Sequence, residues 1–204
     1  IAVGSSASGT GGNVDIVAGS TASTILNTAG GALTFASGTA LSGNSGDVTV
    51  ATGASTKGKG GTLSLTVGSS YSGKGSDIVL SAGNQNGVTV KDGGSITMTS
   101  GDSNQGTSGS ITINTADTDS LSPSTGKIDL YTGTSSGPAG SFSGALTLST
   151  GQVTSNSGES GEIYLTTGAA TCGQAGDIKI AVGSSASGTG GNVDIVAGST
   201  ASTI

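Results

Sequence analysis

The groups in this chain whose chemistry could matter are close-set carboxylates and a single thiol. Asp117 precedes Asp119 by two residues, and Glu159 precedes Glu162 by three. Paired carboxylates are what glycoside cleavage requires, one as acid and the other as base or nucleophile. Asp117 and Asp119 stand in a stretch with Pro123 nearby and read more simply as turn formers. Histidine is absent, which removes Ser-His-Asp triads, Cys-His pairs and His-based metal sites. No catalytic, metal-binding or cofactor-binding residue is assigned, and the protein is expected not to be an enzyme.

Cys172 has no second cysteine to pair with inside the chain. It reads as a small buried or half-buried residue, with an intermolecular link in an oxidising compartment as the alternative. The Gly-x-Gly fragments are not phosphate loops, because no helical pattern follows them.

What must position any such group is a repeat. Ile1 to Ile25 and Ile180 to Ile204 are the same 25-residue string, so 1–179 reads as one tile and 180–204 as the start of the next. Inside the tile runs a shorter repeat. Its first apolar residue, the anchor, falls at Val14, Leu33, Val48, Leu63, Ile78, Ile96, Ile111, Ile128, Leu146, Ile163, Ile178 and Val193. A second apolar residue follows two places later, from Ile16 and Phe35 through Ile180 and Ile195. Spacing of two puts both on one face of an extended segment. Two residues before each anchor stands Gly, except Ser76, and five after each stands Gly, except Ala116. Glycine at both corners suggests a positive φ or a backbone approach that a Cβ would block.

Anchor intervals of 15 to 19 residues, with the same signature at every link, predict an all-β protein: one continuous, flattened parallel β-solenoid over 1–204. An antiparallel barrel is the competing fold. Eleven coils would give a tile rise of roughly 53 Å at strand spacing. Small residues seven places after the anchor, such as Ser55, Ser70, Ser103 and Ser185, would form a lean second sheet. Ile25, Leu26, Leu41, Tyr71, Val88, Val90, Leu121, Phe142 and Val153 would fill locally wider parts of the core or, as the alternative, form a lateral contact stripe. On this fold Leu65→Asp should disturb three coils, whereas outward Thr66→Ala should be nearly silent.

The composition fits no ordinary globule. Among 204 residues there are 40 glycines, no Trp and 9% charged residues, too little apolar bulk for a core of normal size. Regular placement of Val, Ile and Leu separates the protein from simple disordered Gly/Ser sequence. The net charge is −6 and every basic residue is lysine, so nothing here grips a nucleic-acid backbone. No run of about 18 apolar residues offers a membrane span. Ile1 occupies the place of Ile180, mid-segment, so the sequence is expected to be an excerpt.

Gly73-Lys74-Gly75-Ser76-Asp77-Ile78 resembles half of a calcium-binding nonapeptide β-roll motif. Such a roll needs an acid on almost every turn. The place before the anchor is acidic only at Asp47, Asp77, Glu162 and Asp177, so a solvated polar turn is the simpler reading. Outward Thr49, Thr66, Thr97, Thr99, Thr112 and Thr147 are what an ice-binding row would present, but Asp15, Val79, Asp129, Tyr131, Tyr164 and Lys179 interrupt it. Solvent-facing Thr that favours extended backbone and can carry O-linked glycans is the simpler reading.

GDVTVATG (46–53), GGTLSLTVG (60–68), GGSITMTSG (93–101), GSITINTA (109–116) and GDIKIAVG (176–183) carry a family resemblance. The protein resembles the Gly/Ser/Thr-rich tandem-repeat β-solenoid proteins of microalgal and protist cell surfaces, and more distantly bacterial filamentous adhesins. The resemblance implies an extracellular or cell-surface structural fibre. Its partners would be copies of itself, stacked head to tail or bundled laterally, with O-linked glycans as further candidates. A solenoid binding module for glycan, ice or protein is the alternative, and a polysaccharide-cleaving β-helix stands third.

Overall fold

The computed structural model describes residues 2–7, 9–25, 28–87, 91–118, 124–138, 140–154 and 158–199. Among them there is neither helix nor strand. The protein falls into two units, Ile1–Met98 and Thr99–Ile204. Each unit is a succession of short apolar segments joined by loops, and in each the same device closes the loop.

That device is a glycine pinch. In the first unit Gly31 N–H donates to the Gly19 carbonyl at 2.7 Å, Gly46 to Gly38 at 3.4 Å and Gly94 to Gly83 at 2.9 Å. In the second unit Gly109 donates to Gly101 at 2.8 Å. Each donor lies two places before an anchor, and each acceptor five places after the previous one. Hence at these four loops the backbone returns to the point where it left. The loop between Gly19 and Gly31 is longer than that between Gly38 and Gly46, yet both close through the same two positions. Length variation is confined to the loop.

The parallel β-solenoid expected from the repeat is not what forms. A ladder would bond each segment to the one a full repeat away, whereas these bonds join residues across single loops. No residue is buried among those described. All twelve anchors stay between 50% and 60% exposed, and their apolar partners between 50% and 87%. The protein presents 20097 Å² to solvent, against about 8,300 Å² for a folded monomer of this mass and about 27,000 Å² for an unfolded one. Two aliphatics per repeat cannot bury enough surface to hold 15 or more residues in a closed coil. The short-range pinch forms instead, because closing a small loop costs less entropy than pairing distant segments.

Among the described residues the wider core is absent as well. Leu41 and Tyr71 are fully exposed, Phe142 and Ile25 largely so, and Val153 is 39% exposed. Leu26, Val88, Val90 and Leu121 lie outside the described residues. Cys172 is a free, exposed thiol, not a buried one.

Candidate functional site

The nearest thing to a built site is the pinch itself. A Cβ added to the glycine before the anchor would meet the residue four places after the preceding anchor. Gly31 faces Ala18, Gly46 faces Ser37, Gly61 faces Thr52, Gly94 faces Ala82, Gly109 faces Ser100 and Gly126 faces Thr115. The same relation holds at Gly144, Gly161, Gly176 and Gly191, and Gly12 meets Val3 in the matching register. Ser76 is the one place in the series where the sequence has no glycine. Ala18, Ala82, Ser100 and Thr115 are half-buried, and every other described residue is exposed. The pinches are where this protein packs.

The two corner glycines therefore differ in what they do. The one before the anchor is needed for close approach: a Cβ on Gly31 would lie 3.2 Å from Gly19 N, and one on Gly94 would lie 3.1 Å from Gly83 N. The one five places after the anchor has open space around it at Gly19, Gly38, Gly53, Gly83 and Gly101, and none of these takes a positive φ. Its carbonyl is what the pinch uses.

A third glycine position lies outside the two-corner pattern. Ten residues after the anchor, in all six 15-residue intervals, stand Gly43, Gly58, Gly73, Gly106, Gly173 and Gly188. The backbone bends there, at 41–43, 56–58, 71–73, 104–106, 171–173 and 186–188. Gly43, Gly73, Gly173 and Gly188 adopt φ of 116°, 106°, 137° and 131°, a region costly for residues with a Cβ. At the other two bends a hydroxyl closes the turn. Gly58 N–H donates to Ser55 Oγ and Gly106 N–H to Ser103 Oγ, both at 2.9 Å. Ser55 and Ser103 are thus turn caps and not members of a second sheet.

The outward face does hold side-chain pairs. Lys127 and Asp129 approach to 2.7 Å and Asp177 and Lys179 to 3.9 Å, each pair straddling an anchor. Glu162 and Tyr164 straddle Ile163, with the phenol donating to the carboxylate. Ser64 and Thr66 hydroxyls lie 3.2 Å apart. Contacts between residues two apart show locally extended backbone with those side chains on one face. The Glu162 carboxylate beside Tyr164 raises the phenol above its ordinary value of 10.0.

Glu162 is engaged with Tyr164 rather than with Glu159, and Asp119 lies outside the described residues. Asp77 of the β-roll-like stretch pairs with Lys74 at 3.3 Å. Among the described residues no three acidic or thiol groups gather as a metal site would require, and no pocket opens. No helix among them is long and apolar enough to cross a membrane.

Comparison with protein families, curated proteins and solved structures finds no match to this sequence.

Proposed function

We propose that the protein is a segment of a non-catalytic structural fibre, extracellular or at the cell surface, in which tandem tiles associate with copies of themselves. The carrying observation is the pairing of an unbroken tile repeat with an uncovered apolar pair on every segment. Ile180 to Ile204 repeats Ile1 to Ile25 without a mismatch. Val14, Ile16, Val193 and Ile195, which recur along both stretches, stand open to solvent. Regularly spaced open apolar surface favours association with more of the same surface. The repeat keeps the two in register.

The hydroxyl face offers a weaker basis for a binding module. Its threonines are interrupted by the Lys127–Asp129 and Asp177–Lys179 ion pairs and by Tyr164, so no flat unbroken row exists for ice or glycan.

Imaging of the native material together with sedimentation over a range of concentrations tests the proposal. Long fibres and concentration-dependent growth are expected. Persistent single molecules at high concentration, or release of reducing sugar abolished by Asp117→Asn, would overturn it.

A further inference from the structure

The loop between Gly83 and Gly94 holds the protein's sole Asn-Gly step, Asn86-Gly87, and its sole Asp-Gly step, Asp92-Gly93. The two sit in one loop, closed at its base by the Gly94 N–H donating to the Gly83 carbonyl at 2.9 Å. Asn86 and Gly87 are both exposed. Among the described residues the Gly87 amide donates no hydrogen bond. No described acceptor holds that amide back from acting as a nucleophile, and water reaches the exposed residue.

We propose that Asn86 is a site of spontaneous self-modification, converting to aspartate and isoaspartate through a cyclic imide. The Gly87 amide nitrogen loses its proton and attacks Asn86 Cγ. A new N–Cγ bond closes the ring, and the Cγ–Nδ2 bond breaks to release ammonia. Water then opens the ring at either carbonyl, giving aspartate at one and isoaspartate at the other. Water is the only co-reactant and no oxidant or reductant is involved. Glycine after the asparagine is what makes this feasible, since no Cβ blocks the approach and the backbone turns freely.

The conversion adds one negative charge to a molecule whose net charge is −6. Isoaspartate also lengthens the backbone by a methylene inside a loop whose ends are held together. Asp92 follows the same imide route, losing and regaining water, and its isomer lies two residues from the pinch donor Gly94. The loop is thereby a place where age is written into the protein.

Gly87→Ala is a clean probe, because among the described residues a Cβ there would meet only the flexible Gln85 amide and the residue has no positive φ. The full-length protein is incubated at mildly alkaline pH and followed by peptide mapping that separates aspartate from isoaspartate. Asn13, Asn44, Asn104 and Asn114 in the same sample serve as comparators. Asn86 is expected to convert first and mainly to isoaspartate, with Gly87→Ala slowing it at least tenfold. Retention of the Asn86 amide while the comparators convert would overturn the proposal. So would an unchanged rate in Gly87→Ala.

Discussion

Gly31 donates its amide to the Gly19 carbonyl at 2.7 Å, and a Cβ on Gly31 would stand 3.2 Å from the Gly19 nitrogen. Donor and acceptor are both glycine, but only the donor needs to be. Gly31→Ala should open this loop at a cost of about 1 kcal/mol, the net worth of one such hydrogen bond. Gly19→Ala meets open space and should be neutral or stabilising by about 0.5 kcal/mol through the unfolded state. Hydrogen exchange at amide 31 measures both. Equal loss of protection in the two variants would contradict the asymmetry.

At the bends the two closing chemistries should respond differently. Gly188→Ala forces a Cβ into φ of 131° and should cost about 1–2 kcal/mol. Gly58 has no positive φ, so Gly58→Ala should cost less, whereas Ser55→Ala removes its cap and should cost about 0.5–1 kcal/mol. Local exchange rates at 58 and 188 report both effects.

Tyr164 should titrate above 10.0 because the Glu162 carboxylate accepts its hydroxyl proton. A raised value means the contact contributes fully below pH 10.0 and is lost as pH climbs through the shifted transition. Glu162→Gln removes the charge, so the phenolate absorbance of Tyr164 should appear at lower pH. A titration curve identical to that of the parent protein would show that the pair does not persist in solution.

Leu65 is 72% exposed, so Leu65→Asp should change the stability of the isolated molecule by no more than about 0.5 kcal/mol. In the proposed fibre the same substitution places a charge on the associating surface and should suppress assembly. Sedimentation of variant and parent separates the two effects. A fully assembling Leu65→Asp variant would remove the apolar pairs from the contact.

The ion pairs Lys74–Asp77, Lys127–Asp129 and Asp177–Lys179 are exposed, and each should contribute less than about 1 kcal/mol. Lys127→Ala should leave the segment around Ile128 as protected from exchange as before, at low and at high salt alike.

The two-residue spacing of Glu162 with Tyr164 and of Lys127 with Asp129 was readable from the linear pattern, because facing along an extended backbone is a local property. So was the glycine before every anchor but Ile78, although not which neighbour calls for it. The glycine ten places on, present in every 15-residue interval, was equally open to view beneath the stronger period of the aliphatics. The expected solenoid failed at the step where segments must choose partners. Ile78 and Ile96 follow the same rule whether they stack in a ladder or stand apart, and both stand more than half exposed.

The order of residues alone determined the repeat, its corners, its bends and the alternation of faces, since each depends on φ/ψ preferences and spacing within a few residues. Only the tertiary structure decided that Gly31 returns to Gly19 and that Ala18 is half-buried beside it. Partner choice is a competition between loop-closure entropy and buried area. With two aliphatics in each repeat the closest partner wins.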